Sequence, residues 1–107
     1  MARSKPVPML VTYRPKKGKE KRLLALIRKH EPALRKAGLA SRAPFRVWKA
    51  SDKWPGEVYF VEMFEWKDET SSAAAHRSPE VRAVWGPMEE VLADLQLARI
   101  EPVSDGR

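Results

Sequence analysis

Apolar residues recur along the chain with two periods, and the change between them predicts the order of the elements. Stretches rich in β-branched and aromatic residues predict strands at 9–13, 45–50, 58–66 and 95–100. Between the first two, apolar residues return every three or four positions, which predicts a helix over 19–37. Pro32 predicts a kink or break in that helix near residue 31, and Gly38 suits its C-terminal stop.

A second helical region follows the third strand and is predicted in two segments. The first runs from 70 to 77, with Asp68 as a cap. Ser78 and Pro79 suit the N-cap and the first position of a new segment, which continues at helical spacing to about residue 92. The resulting order, β-α-β-β-α-β, predicts an α+β fold of the ferredoxin-like type, with a four-stranded antiparallel sheet and its helices on one face.

The strand at 58–66 is apolar on both faces, which bears on assembly. One face carries Val58, Phe60, Glu62, Phe64 and Trp66, and the other carries Tyr59, Val61, Met63 and Glu65. Two helices cover only one face of a small sheet. Because an open apolar sheet is an aggregation hazard, we expect a homodimer that packs through the uncovered sheet faces.

Composition narrows the class of protein. The 107 residues predict a single domain, with a core at about 8–103 and loose termini. There is no apolar run of membrane-spanning length and no secretory pattern at the N-terminus. The absence of cysteine excludes disulfides, thiolate metal sites and a cysteine nucleophile, and it favours a cytoplasmic location.

The net charge of +7 comes largely from lysines and arginines between residues 16 and 36. Such a basic stripe is able to attract nucleic acid or an anionic substrate. No nucleic-acid motif accompanies it, so a solvated helix face is the favoured interpretation and a nucleic-acid partner is disfavoured.

The motifs of several enzyme classes are missing. The two histidines stand 46 residues apart, and there is no HExxH motif and no cysteine cluster to bind a metal. There is also neither a glycine-rich phosphate loop nor a GxSxG nucleophile. We therefore predict no metal and no cofactor. Glu62 and Glu65 lie on opposite strand faces and cannot act as a pair. For Glu62 an edge-strand charge or a dimer salt bridge is favoured over a carboxyl group buried in a pocket.

Aromatic residues and histidines remain as candidate chemistry. They either line a small-molecule cavity between sheet and helices or are ordinary core packing, which is the favoured interpretation for any single tryptophan; they are Trp48, Tyr59, Trp66, Trp85, His30 and His76. His30 lies on the apolar stripe of the first helix, as a packed core histidine or as a general base. His76 precedes the Ser78-Pro79 break, where it is either a base or a partner of the helix dipole. Trp54 in the 51–56 loop indicates a contact surface or packing over the hairpin end.

The stretch EMFEWKDETSSAAAHRSPEVRAVW resembles the central motif of the antibiotic biosynthesis monooxygenase family. The likeness consists of a strand ending in glutamate and tryptophan, a helix, a histidine about ten residues on and a Ser-Pro break. It implies a dimeric α+β barrel with a pocket between sheet and helices. It also implies oxidation of small aromatic, quinol-like substrates by dioxygen without metal or flavin, with His76 as the base, Trp66 as a pocket wall and His30 as a second polar group.

Two alternatives stay open beside this reaction. The first is a non-enzymatic homodimer that binds small molecules or serves a structural role. The second is haem degradation, which a branch of the family performs with an asparagine, a tryptophan and a histidine. The chain contains no asparagine, and His76 and Trp85 fall near that branch's tryptophan and histidine, respectively, so haem degradation is disfavoured.

Overall fold

The computed structural model describes residues 5–52 and 56–103, which form seven elements in one ferredoxin-like unit. The elements are β1 (Val7–Pro15), α1 (Glu20–Lys36), β2 (Arg46–Ser51), β3 (Val58–Trp66), α2 (Ser71–Ala75), α3 (Pro79–Val91) and β4 (Leu92–Arg99). The four strands pair antiparallel in the order β2-β3-β1-β4. This arrangement confirms the predicted α+β fold, including the division of the second helical region into two.

The helices lie on one side of the sheet, and the core lies between the two layers. Strand alternation places the even-numbered residues of β3 against the helices, and four of them are buried: Phe60, Glu62, Phe64 and Trp66. From α1 the apolar stripe supplies Leu23, Leu26, Ile27, His30 and Leu34. From α3 the same spacing supplies Val81, Val84, Met88 and Val91.

The other face of the sheet has no covering layer among the described residues; we call it the open face. Tyr59, Val61 and Met63 of β3 lie there and are only half-buried. Trp48 of β2 stands opposite Val61 in the register, so it projects from the same face, with 44% of its surface exposed. Both faces of β3 therefore carry large apolar side chains, as the sequence pattern predicted.

Several boundaries differ from the predictions. Helix α1 continues unbroken to Lys36 although Pro32 lies inside it; Pro32 is exposed, so its ring and the carbonyl it leaves unpaired are on the solvent side. Helix α2 is shorter than predicted. Helix α3 likewise contains Pro87 and passes into β4 at Leu92, without a loop.

The capping residues behave as their chemistry predicts. The Ser78 hydroxyl accepts a hydrogen bond from the Val81 N–H at 3.3 Å, and Pro79 occupies the first helical position. After α1, Gly38 takes a φ of +73°, and the following N–H of Leu39 donates to the Leu34 carbonyl at 3.0 Å. The glycine conformation thus closes the helix end.

Three further predictions concern the loop tryptophan with the chain ends, the basic stripe and the absence of a membrane span. Trp54 and the two ends of the chain, 1–4 and 104–107, lie outside the described residues. The nine lysines and arginines between 16 and 36 are all exposed. Within 5–52 and 56–103 no helix has the length and apolar character needed to cross a membrane.

Two glycine substitutions should change stability in opposite directions. Gly38→Ala should destabilise the protein by about 1 kcal/mol, because a Cβ is strained at positive φ even though no atom lies within 4 Å of it. Gly86→Ala, inside α3 with equally open surroundings, should stabilise it by roughly 0.5–1 kcal/mol through helix propensity. Urea unfolding of both variants measures the difference. Equal effects would contradict this account of the α1 terminus.

Candidate functional site

Glu62 is a fully buried carboxylate in the middle of β3, with 0% of its surface exposed. It accepts a hydrogen bond from the Tyr13 hydroxyl of β1 at 2.7 Å. Its two oxygens also lie 2.9 and 3.1 Å from Nδ1 of His30 in α1. The carboxylate therefore joins two strands and a helix at the centre of the core.

The expectation that Glu62 is an edge-strand charge or a dimer salt bridge is wrong. β3 is an internal strand of the sheet, and Glu62 is on its helix side. A buried carboxylate needs donors nearby, and both of its partners come from the same chain.

Tyr13 is held in its protonated form by its surroundings. Burial and then the adjacent negative charge and hydrogen bond of Glu62 raise the pKa of Tyr13 well above its ordinary value. The phenol is thus a permanent donor to the carboxylate at neutral pH.

His30 has one ring nitrogen engaged and one without a partner. We assign the proton to Nδ1, because that nitrogen faces a carboxylate that can only accept. In the neutral ring Nε2 is then an acceptor; it is buried and has no hydrogen-bond partner anywhere in 5–52 or 56–103. An unmatched buried polar atom costs about 1–3 kcal/mol, and in a folded protein such an atom often marks a ligand or catalytic contact.

Aromatic rings surround His30. Phe64 and Phe45 meet its ring edge-on, with centroids 5.3 and 6.0 Å away, and Trp85 lies tilted at 6.1 Å. Trp66 contacts both Phe64, at 4.9 Å, and Trp85, at 6.5 Å. We call this group, together with His76, the ring cluster; its members are His30, Phe45, Phe64, Trp66, His76 and Trp85.

His76 is the exposed end of the ring cluster. It is the C-cap of α2, and its ring meets Trp85 edge-on at 5.1 Å. Both residues line a cleft of about 570 Å³, with Pro79, Arg82, Ala83, Gly86 and Glu89. His30 and Trp66 are not among the lining residues. The indole of Trp85 therefore stands between an open histidine and a buried one.

The structure brings together four of the six residues predicted to line one cavity. Tyr59 and Trp48 lie on the open face, on the other side of the sheet, so the expectation that all six share a cavity between sheet and helices is wrong. The reason is strand alternation: Tyr59 lies between Val58 and Phe60, which face the helices, and Trp48 stands opposite Val61, which is on the open face. Tyr59 instead packs under the Arg14 guanidinium, 4.1 Å from the ring centroid.

Tyr13, Phe45 and Phe64 also belong to the site, although they were not among the residues predicted to form it. Phe64 is two residues from Glu62 on β3, so strand alternation places both on the same face and could have predicted its position. Tyr13 is likewise two residues from the buried Val11 on β1. The contact between Tyr13 and Glu62 spans 49 positions and has no local signature. The described residues hold no group of three or more histidines and carboxylates able to bind a metal.

Comparison with known proteins supports the fold. No family model and no curated protein matches the chain. Among solved structures, a dimeric ferredoxin-like protein of unknown function from Thermobifida fusca is 12% identical, with a TM-score of 0.69 over 94% of this chain and 93% of its own. A structure named antibiotic biosynthesis monooxygenase is 16% identical, with a TM-score of 0.68 over 92% and 99%.

A protein from Nitrosomonas europaea with the provisional name antibiotic biosynthesis monooxygenase is 13% identical, with a TM-score of 0.66 over 98% of this chain and 97% of its own. At these identities the likeness shows a shared fold over nearly the whole chain. It is the ferredoxin-like fold that the order of the elements predicted.

Tyr13 should make stability fall at alkaline pH. Folding raises the pKa of Tyr13. The stability that its protonated hydroxyl contributes is therefore complete below the ordinary tyrosine pKa of about 10, and it is lost as pH rises from there through the folded-state pKa. Tyr13→Phe should cost about 1–3 kcal/mol at pH 7 and should flatten the loss above pH 10. Urea midpoints at several pH values measure both effects.

The matched control is Tyr59→Phe, which removes a phenol hydroxyl on the open face, on the other side of the sheet from Glu62. A Tyr13→Phe variant with an unchanged slope would mean that the Tyr13–Glu62 contact does not govern the titration.

Proposed function

We propose that this protein is a monooxygenase of the antibiotic biosynthesis monooxygenase type, which oxidises a small aromatic, quinol-like substrate with dioxygen and without metal or flavin. The observation that carries the proposal is the position of Trp85. Its indole lines the cleft beside His76 and contacts the buried rings of His30 and Trp66. The fold shared with structures of that name supports it.

The cleft offers the two properties that such chemistry requires. An aromatic substrate packs against the Trp85 indole, where ring–ring contact holds it in place. His76 is accessible and removes a proton from a substrate hydroxyl, which leaves an electron-rich phenolate or enolate.

An anthrone illustrates the balance of the reaction. The base takes the proton of the enol form, and the resulting carbanion carbon reacts with dioxygen to form a C–O bond. Overall a CH2 group and O2 become a carbonyl group and water, so one oxygen atom stays in the product. Dioxygen is the oxidant. His76 returns its proton to the peroxide formed on that carbon. Loss of the remaining C–H proton then breaks the O–O bond, which leaves the carbonyl group, and the released hydroxide takes up that proton to become water.

A second candidate function is non-enzymatic. The same cleft binds an aromatic molecule without oxidising it, or the chain serves as a structural homodimer. The open face, with Trp48 exposed, favours the structural reading. Substrate-dependent oxygen uptake separates the enzyme from both.

Oxygen uptake should require both the substrate and His76. With purified protein and a panel of anthrones, quinols and catechols, His76→Ala should lower uptake about 100-fold, the usual contribution of a general base. Trp85→Leu should lower it by weakening binding. The matched control is Trp48→Leu on the open face. It should keep the wild-type rate of oxygen uptake at protein concentrations where the variant and the wild type have the same oligomeric state.

Uptake that survives His76→Ala would remove His76 from the proposal while leaving the enzyme. Tight binding without any uptake across the panel would favour the non-enzymatic function.

We further propose that the protein is a homodimer packed through the open faces of two sheets. Trp48, Val61 and Met63 form an apolar surface there, bordered by Tyr59 under the Arg14 guanidinium, and no helix among the described residues covers it. A structural neighbour described as dimeric shares the fold. Packing two such faces removes this apolar surface from water.

Light scattering should give about twice the 12.2 kDa chain mass. Trp48→Asp should yield the monomer, because it places a charge inside the proposed interface. Val47→Asp is the matched control: Val47 is also exposed, but it projects from the other face of β2, so this variant should remain dimeric. A wild-type mass of 12.2 kDa would contradict the dimer.

A further inference from the structure

We propose that Nε2 of His30 is the hydrogen-bond acceptor for a hydroxyl group of the aromatic ligand. In this proposal Tyr13 and Glu62 are positioning residues that hold the imidazole in the accepting tautomer. The inference rests on the proposed function for the aromatic nature of the ligand and deepens it by naming a second polar contact. It makes His30 a specificity-determining residue for aromatics that carry hydroxyl groups on two edges, such as para-quinols.

The chain of donors fixes which nitrogen is free. The Tyr13 hydroxyl donates to Glu62, and Glu62 in turn faces Nδ1 of His30 with both oxygens. With its proton directed to the carboxylate, the imidazole presents an unshared electron pair at Nε2. That atom is buried without a partner, on a residue that is only 2% exposed. A ligand hydroxyl supplies the missing donor.

The surroundings of Nε2 select the ligand. The rings of Phe45, Phe64 and Trp85 provide apolar walls. Within 5–52 and 56–103, the only charged group paired with the imidazole is the Glu62 carboxylate, which disfavours an anion at this depth. A neutral aromatic molecule with a hydroxyl group meets both requirements, whereas a carboxylate or phosphate does not.

Trp85 determines access. Its indole touches the imidazole of His30 on one side and that of His76 on the other, and it borders the open cleft. Trp85 is half-buried, so an outward rotation of its side chain connects the cleft to Nε2. A ligand ring then lies between the two histidines, with one hydroxyl on His76 and the other on His30.

The test is anaerobic binding of a matched pair of ligands, hydroquinone and 4-methoxyphenol, which differ in one hydroxyl. We expect the wild-type protein to bind hydroquinone about tenfold more tightly than 4-methoxyphenol, because one hydrogen bond changes an affinity by about that factor. His30→Asn keeps an N–H for Glu62 but removes Nε2, and it should reduce the ratio to near one. No binding of hydroquinone, or an unchanged ratio in His30→Asn, would overturn the proposal.

A spectroscopic readout covers the case in which His30→Asn fails to fold. The ¹⁵N resonance of His30 Nε2 in the folded wild-type protein should move when hydroquinone binds and stay in place with 1,4-dimethoxybenzene, which has no hydroxyl donor. The same shift should persist in Trp48→Leu, which changes a residue on the open face, outside the cleft. An Nε2 resonance that ignores hydroquinone would overturn the proposal.

Both measurements exclude oxygen, so they are independent of turnover. Loss of the proposed oxygenase activity with the binding ratio intact would refute only the reaction. An active enzyme whose ratio does not depend on His30 would refute only this inference.

Discussion

The buried carboxylate of Glu62 is the constraint on which the rest of the structure depends. An unpaired charge at that depth destabilises a protein by several kcal/mol, so its donors must arrive together. Tyr13 reaches it only when β1 pairs with β3 in the observed register, with Val11 opposite Glu62. A slip by one residue would turn the tyrosine to the open face. His30 reaches it only when α1 lies across the same point of the sheet. One polar contact therefore specifies both the strand register and the helix position.

The same contact explains why a polar triad lies inside an apolar layer. Tyr13 and His30 satisfy the carboxylate, and the carboxylate in turn leaves one imidazole nitrogen directed at aromatic rings. Phe45 completes that wall from the connection before β2. Arg35 fixes the connection, since its guanidinium donates to the carbonyls of Ser41 and Ala43 and lies 5.3 Å from the Phe45 ring centroid. The chemistry of the site thus depends on how a loop is fastened to α1.

Local rules predicted the elements well because their signals lie within a few residues. The alternation along β3, the Ser78-Pro79 cap and the turn at Gly38 each belong to one segment, and the structure follows them. Pro32 misled the prediction of a kink or break in α1, because the packing of the helix outweighs the one missing hydrogen bond. The site was harder to predict. Glu62 and His30 are 32 positions apart, so no local pattern links them. Trp48 and Tyr59 were grouped with the site because they are aromatic, although strand alternation places them on the other face of the sheet.

The direct passage from α3 into β4 has a mechanical consequence. Val91 ends the helix and Leu92 begins the strand, while the Val91 carbonyl accepts a hydrogen bond from the Lys16 N–H at 2.8 Å. No flexible connector separates the two elements, so α3 and β4 behave as one lever pinned where it crosses the end of β1. A rigid-body tilt of α3 that moved Trp85 outward would therefore also displace the start of β4, at the edge of the sheet where Leu95 and Leu97 are exposed.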